Sequence, residues 1–161
     1  MKHFTTSVEV GGKTITFETG ELAKQASGAI VVTSGESKLL VTTVCTKGFR
    51  TFDFLPLTVD YQDRNGANGT IPGGFLKREG RTSERETLIS RLIDRPIRPL
   101  FPKHFRMELQ CIATVMSYDR DYETDVLALC GAVASFHISP APMMEAAAGV
   151  RVCRVDGELI V

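Results

Sequence analysis

The sequence lacks the features that mark membrane, secreted and organelle-targeted proteins. No apolar run approaches the roughly 18 residues that a membrane-spanning helix needs. The first five residues contain neither an apolar signal core nor the Arg/Ser-rich start of a transit peptide. With 161 residues, 43% hydrophobic and 24% charged, the chain can bury one core. We therefore expect a cytoplasmic globular domain with no membrane partner.

Paired cysteines are also missing. Cys45, Cys111, Cys130 and Cys153 lie far apart, form no CxxC motif, and have no histidine at zinc-finger spacing. This pattern predicts buried, reduced thiols and not metal ligands or disulfides. His137 falls within an apolar helical pattern, which predicts a core histidine.

The motifs of several large enzyme classes are absent as well. There is no Walker A loop, no GxGxxG after a strand, no GxSxG and no HExxH. The acidic residues Asp119, Asp121, Glu123 and Asp125 resemble a metal site only superficially. The first two fall in a predicted turn, and Asp125 falls in a first helical turn, where carboxylates favour the helix dipole. We therefore expect these acidic residues to have structural roles and not to bind a metal.

Hydrophobic periodicity indicates a mixed sheet. Alternation and turn residues predict a hairpin over residues 3–19, strands at 29–34, 38–47, 55–62 and 107–117, and a last hairpin over 149–161. The run at 38–47 is β-branched and apolar, which favours a central position in the sheet. With helices at 84–95 and 124–138, this order indicates an α/β fold of the α+β type, with both helices on one face of the sheet.

The first helix can be described in more detail. Thr82 or Ser83 can cap its N-terminus, and Pro96 disfavours helical backbone at the residue before it. The apolar pattern predicts that its buried face consists of Leu88, Ile89, Leu92 and Ile93.

Positive charge is concentrated in one segment. The chain is neutral overall, but residues 74–106 contain nine Lys/Arg against four Asp/Glu. A local excess of five positive charges in a neutral chain indicates a local site for a polyanion.

That segment begins at a glycine-rich loop. Residues 63–74 contain four glycines and one proline, which predicts a long mobile loop. Phe75 follows, with Lys77, Arg78 and Arg81 close behind. An aromatic ring that stacks on a base, next to cations that hold phosphates, is the minimum requirement for binding single-stranded RNA. The alternative is a surface hairpin tip with solvated charges.

Arg91, Arg95 and Arg98 form a second group of cations. Arg91 and Arg95 share one helical face, and Arg98 follows Pro96. They are candidates for a phosphate-facing row. Ion pairs with Asp94 or Glu84 are the alternative.

The string GGFLKREGRTSERETLISRLIDRPIRPLFP at residues 73–102 closely resembles the polynucleotide phosphorylase family. That family has an FFRR loop, an EGR turn and a helix ending in LIDRPIRPLFP. Here Leu76 and Lys77 replace a Phe and an Arg of the loop. This removes one aromatic ring that could stack and one guanidinium that could bind a phosphate through two parallel hydrogen bonds. The resemblance spans residues 4–161 and implies the first ribonuclease-PH-like core, truncated before its last strands.

The resemblance also implies a function. Family members degrade RNA from the 3′ end with inorganic phosphate as co-substrate and release nucleoside diphosphates. They need Mg²⁺, but the phosphate- and metal-binding residues are ascribed mainly to a second core of the family. The resemblance therefore implies no catalytic residue and no Mg²⁺ site in this segment. They form homotrimeric rings that can join RNA-degradation complexes, and the loop matched by Phe75, Lys77, Arg78 and Arg81 lines the RNA entrance. A non-catalytic RNA-binding or scaffold module and a single-core ribonuclease PH relative are the alternatives.

Overall fold

The computed structural model describes residues 2–46, 48, 53–75 and 79–161. Its strands are β1 Phe4–Val10, β2 Lys13–Thr19, β3 Gly28–Ser34, β4 Ser37–Cys45, β5 Leu57–Gln62, β6 Leu109–Ser117, β7 Cys153–Val155 and β8 Glu158–Ile160. The helices are α1 Glu84–Ile97 and α2 Thr124–Ile138, and 3-10 turns lie at Asn65–Asn68 and Arg98–Leu100. None of the helices among these residues has the length and apolar character needed to span a membrane.

Six strands form one mixed sheet in the order β1-β2-β3-β4-β6-β5. Neighbouring strands are antiparallel except β5 and β6, which are parallel because α1 connects them as a crossover. The expected central position of β4 is confirmed, since it lies between β3 and β6. The predicted α/β fold with a mixed sheet and two helices is also confirmed.

Helix α2 packs closely on the centre of the sheet. Its Gly131 lies so near β3 and β4 that an added Cβ would be 2.7 Å from Val32 Cγ2 and 2.8 Å from Val41 Cγ2. Beside it, the buried hydroxyls of Thr43 and Ser135 are 3.0 Å apart. A single hydrophobic cluster joins both helices to the same face of the sheet.

Helix α1 differs from the sequence prediction in two respects. It runs through Pro96 to Ile97, because a proline near the C-terminus removes only one helical hydrogen bond and the Arg98 N–H still bonds to the Asp94 carbonyl. Its buried apolar residues are Ile89, Ile93 and Ile97. Leu88 and Leu92 were predicted to be buried but are 57% and 46% exposed.

The predictions for single thiols and for His137 need correction. All four cysteines are free, but only Cys111 is fully buried, and Cys153 is exposed on β7. His137 is exposed at the end of α2, with Nδ1 3.0 Å from the Val133 carbonyl oxygen. The apolar pattern was misleading because α2 contacts the sheet along only part of its surface.

The last hairpin forms as predicted but with shorter strands. Among the described strands, β7 and β8 pair with each other and with no other strand, and their residues are exposed. An apolar cavity of about 730 Å³ lies between the β1–β2 hairpin, α2 and the segment that leads into β7.

Candidate nucleic-acid interface

The basic segment begins within the loop that connects β5 to α1, and the end of β5 lies close to the residues that lead into α1. A polar cleft of about 420 Å³ lies there. Its wall includes the end of β5, the 3-10 turn at Asn65–Asn68 and the residues that lead into α1. The loop that the sequence predicted to contact RNA is therefore attached to two regular elements, one at each end.

Glu86 holds these two elements together. Its Oε1 accepts the Asp63 N–H at 2.9 Å, its Oε2 accepts the Ser83 N–H at 2.6 Å, and Ser83 Oγ accepts the Glu86 N–H at 3.2 Å. The last two bonds form a capping box. Burial opposes ionisation of Glu86, but these hydrogen bonds and the charge of Arg64 outweigh burial and lower the pKa of the carboxyl below 4.5. Glu86 is thus a charged anchor for both ends of the loop.

Glu79 provides a second attachment. Its Oε1 accepts the Asn65 N–H at 2.5 Å, and its Oε2 lies 3.7 Å from Arg64 Nη1. Arg64 Nη1 also donates to the Glu79 carbonyl oxygen at 3.4 Å. Thr70 bonds back to Asn65, so part of the glycine-rich stretch is folded as a compact turn. The mobility predicted for the rest of this stretch stays a prediction.

The residues predicted to contact RNA lie on this attached segment. Phe75 has a side chain that is 79% exposed. Arg81 is exposed and lines the polar cleft. Lys77 and Arg78, together with Leu76, lie outside the described residues. An exposed ring and an exposed guanidinium can contact a base and a phosphate without displacing any core residue.

The interior of the cleft is acidic. Asp60, Asp63, Glu79 and Glu86 line it, against Arg64 and Arg81, and Arg64 is paired with Glu79. Among the described residues, the lining of the cleft therefore carries more negative than positive charge.

Tyr61 forms part of the wall of the cleft, and its hydroxyl points into the interior of the protein. Burial raises its pKa to about 12, although the hydrogen bond to Thr124 opposes the shift. Its hydroxyl is buried 2.6 Å from Thr124 Oγ1. The phenol thus stays neutral and joins β5 to α2.

The three arginines of the second group have different environments in the structure. Arg98 donates to both carboxylate oxygens of Asp94, at 3.1 Å and 2.7 Å, and to the carbonyls of Leu55 and Leu57, at 2.9 Å and 3.0 Å. This agrees with the ion-pair alternative for Arg98. Arg91 and Arg95 are exposed on α1, and within the described ranges no ion pair involves them. Phosphate contact by these arginines stays a prediction.

Around the start of α2, the side chains of Asp119, Glu123 and Asp125 have structural partners. Asp119 Oδ2 accepts the Glu36 N–H at 3.3 Å, and Asp119 Oδ1 accepts the Asp121 N–H at 3.0 Å. Asp125 pairs with Arg151 at 2.6 Å. Among the described residues, no three His, Cys, Asp or Glu side chains come close enough together to hold a metal ion.

The sequence interpretation missed the residues that support the interface. Glu86 could have been found, because Ser83-x-x-Glu86 is the sequence pattern of a capping box. The contact of Glu79 with Arg64 has no local signal, because the two residues are far apart in sequence and meet only when the loop folds back.

Comparison with known sequences identifies close relatives. Residues 11–142 match the 3′ exoribonuclease family, domain 1. A polyribonucleotide nucleotidyltransferase of Desulforamulus reducens is 56% identical over 154 residues, which are 96% of this chain and 21% of the relative. One of Geobacter sulfurreducens is 55% identical over 155 residues, 96% of this chain and 22% of the relative. The chain thus spans about a fifth of the length of these relatives.

Comparison with solved structures supports the fold. A chain of rice (Oryza sativa) Rrp46 aligns with a TM-score of 0.66 at 14% identity, covering 99% of this chain and 66% of that one. A chain of the Archaeoglobus fulgidus exosome with RNA bound to the active site aligns with a TM-score of 0.60 at 15% identity, covering 88% and 52%. At these identities the likeness establishes the architecture alone.

Proposed function

The chain belongs to the 3′ exoribonuclease family, domain 1, and we propose that it is the first such domain of a phosphate-dependent 3′→5′ exoribonuclease, a polyribonucleotide nucleotidyltransferase. In this reaction a phosphate oxygen attacks the phosphorus of the 3′-terminal phosphodiester of single-stranded RNA. The bond to the 3′ oxygen of the preceding nucleotide breaks, so a nucleoside diphosphate leaves and the shortened RNA keeps a 3′ hydroxyl. The high identity to relatives of that name supports the proposal. Because those relatives are about five times as long, the reaction is proposed for the longer parent enzyme.

Within that enzyme, we assign the RNA entrance constriction to the segment that carries Phe75, Lys77, Arg78 and Arg81. The observation that supports this assignment is the exposed Phe75 ring, which directly follows the glycine-rich loop in a stretch with excess positive charge. A ring of this kind contributes roughly 1–3 kcal/mol for each stacked base and tolerates any base. The segment would bind RNA without sequence specificity.

The parent enzyme is further proposed to act as a cytoplasmic homotrimeric ring within an RNA-degradation complex. Mg²⁺ is proposed to assist its chemistry by neutralising phosphate charge. Among the residues that the structure describes, no group of ligands for Mg²⁺ is present. The contribution of this chain is to bind and orient the RNA strand.

The RNA contacts can be tested by replacing Lys77 and Arg78 with Ala in the parent enzyme. Removing one cation that touches a phosphate of a single strand should reduce the slope of log affinity against log salt by about 0.7. Removing both cations should therefore flatten the slope by about 1.4 and weaken binding of an oligo(A) strand at low salt. The measurement is a fluorescence titration at several salt concentrations.

A matched control removes two exposed positive charges outside the basic segment. Lys24 and Lys38 are exposed and distant from it in sequence, so replacing both with Ala should leave the slope nearly unchanged. Equal slopes for both double variants and the parent enzyme would contradict the assigned constriction.

Phosphorolysis itself separates the enzyme from its alternatives. With oligo(A) and inorganic phosphate, the parent enzyme should release nucleoside diphosphates, whereas an RNA-binding or scaffold module would bind RNA without release. Preference for the 3′ end of transfer RNA over oligo(A) would indicate a single-core ribonuclease PH relative. The 161-residue chain by itself is expected to release no diphosphate, because no catalytic residue is assigned to it.

A further inference from the structure

Glu79 joins the two ends of the segment that carries the candidate RNA contacts. Its Oε1 accepts the Asn65 N–H at 2.5 Å, and its Oε2 lies 3.7 Å from Arg64 Nη1. The same Nη1 donates to the Glu79 carbonyl oxygen at 3.4 Å. These contacts connect chain positions that are 14 residues apart in sequence. We call Arg64, Asn65 and Glu79 the loop base.

The loop base lies close in sequence to both described candidates for RNA contact. Phe75 precedes Glu79 by four residues, and Arg81 follows it by two. Both candidates are exposed. Fixing the backbone at Glu79 therefore restricts the positions that the Phe75 ring and the Arg81 guanidinium can adopt.

The contacts of Glu79 contribute little to the core. The side chains of Arg64 and Glu79 are 45% and 32% exposed, and exposed ion pairs stabilise a fold only weakly. Glu86, which also uses both carboxylate oxygens, is buried and caps α1. Glu79 can therefore be replaced with a smaller effect on the folded state than Glu86.

Electrostatics and loop order predict opposite effects of Glu79 on RNA binding. A carboxylate near a polyanion weakens attraction, so charge alone predicts tighter RNA binding when Glu79 is removed. A loop that is ordered before binding loses less conformational freedom on binding, so loss of the loop base predicts weaker binding. The sign of the change therefore distinguishes the two effects.

From this geometry we propose that Glu79, through Arg64 and Asn65, is a positioning residue that holds Phe75 and Arg81 in place for single-stranded RNA. This role rests on the proposed function of the segment. It assigns to Glu79 no contact with RNA or phosphate.

The test replaces Glu79 with Ala in the parent enzyme. The Kd and the KM for oligo(A) should rise about fivefold, the factor that corresponds to the loss of one net hydrogen bond. We expect kcat and the KM for inorganic phosphate to stay unchanged, because no reacting group is removed. The slope of log affinity against log salt should also stay unchanged, because no cation is lost.

Glu84→Ala is the matched control. It removes the same charge from an exposed position in the first turn of α1 and should not weaken RNA binding. Glu79→Gln keeps an acceptor oxygen for the Asn65 N–H and should recover part of the lost affinity. Unfolding midpoints of these exposed or half-exposed variants should stay within the small range of surface substitutions.

A double-mutant cycle separates positioning from direct contact by Arg64. If the loop base acts as a unit, Arg64→Ala weakens RNA binding by itself but adds little in the Glu79→Ala background. If Arg64 instead binds a phosphate, its replacement weakens binding in both backgrounds. It then also reduces the salt slope by about 0.7.

Three results would overturn the proposal. The first is unchanged or tighter oligo(A) binding by Glu79→Ala while Lys77→Ala with Arg78→Ala weakens it, which would leave the proposed function standing. The second is unchanged binding in both variants, which would remove the assigned constriction as well. The third is a fall in kcat together with a lower unfolding midpoint, which would make the role of Glu79 a general structural one.

Discussion

Replacing Glu86 with Gln is expected to lower the free energy of unfolding by about 2 kcal/mol near pH 7. Both carboxylate oxygens of Glu86 accept backbone N–H groups, from Asp63 at 2.9 Å and from Ser83 at 2.6 Å. A Gln amide keeps one acceptor oxygen but turns an NH₂ group toward the other N–H. Leaving a largely buried donor without a partner costs roughly 1–3 kcal/mol, and the remaining bond also loses its charge assistance.

The effect of this substitution should depend on pH in a defined direction. Because the pKa of Glu86 is lower in the folded protein than its ordinary value of 4.5, its charge stabilises the fold above that value. The contribution is lost as the pH falls through the lowered pKa. The difference in stability between the two proteins should therefore shrink in acid, when the carboxyl of the unsubstituted chain is itself protonated.

Urea unfolding at neutral pH and at a series of lower pH values measures both quantities. Glu84 is a suitable control because it lies in the same first turn of α1 but is exposed. Glu84→Gln should cost less than about 1 kcal/mol, the usual effect of a charge on the helix dipole. A cost for Glu86→Gln no larger than that of the control, or one that stays the same in acid, would refute the anchoring role of Glu86.

Three further predictions concern the scaffold. Arg98→Lys should destabilise the chain by about 1–3 kcal/mol in urea unfolding, because an ammonium cannot donate hydrogen bonds to Asp94 and to two carbonyls at the same time. Unchanged stability would make Arg98 a candidate for phosphate contact again. Gly131→Ala should also lower the free energy of unfolding, because the added methyl would crowd the side chains of the sheet at a cost of about 1–3 kcal/mol. This cost exceeds the roughly 1 kcal/mol that alanine gains in helix propensity, so a higher unfolding midpoint would contradict the prediction. Cys153 should react quickly with a thiol reagent in the native state, whereas Cys111 should react only on unfolding, because burial raises its pKa to about 12; equal native rates, followed by mass spectrometry, would be inconsistent with the fold.

Much of the architecture followed from local sequence patterns. The two-residue turn at Gly11 and Gly12 and the alternation around it predicted the first hairpin, and both glycines have positive φ. The β-branched run that became β4 predicted a central strand, and α2 was predicted with its observed ends. These features depend on backbone preferences and on burial periodicity, which residues adjacent in sequence determine. The family resemblance depended on the long string at residues 73–102, which is likewise local.

Tertiary structure alone decided which face of α1 is buried. Its sequence offers apolar side chains on more than one side, so periodicity cannot tell whether Leu88 or Ile93 faces the sheet. The positions of β5 and α2 decide which face is buried, and in the folded chain this is the face that carries the isoleucines. In the same way, Arg98 could have faced a phosphate, but the carbonyls of Leu55 and Leu57 lie within reach only after β5 has packed beside α1. Partners distant in sequence are chosen by the packing of whole elements, and no pattern within a single element encodes that choice.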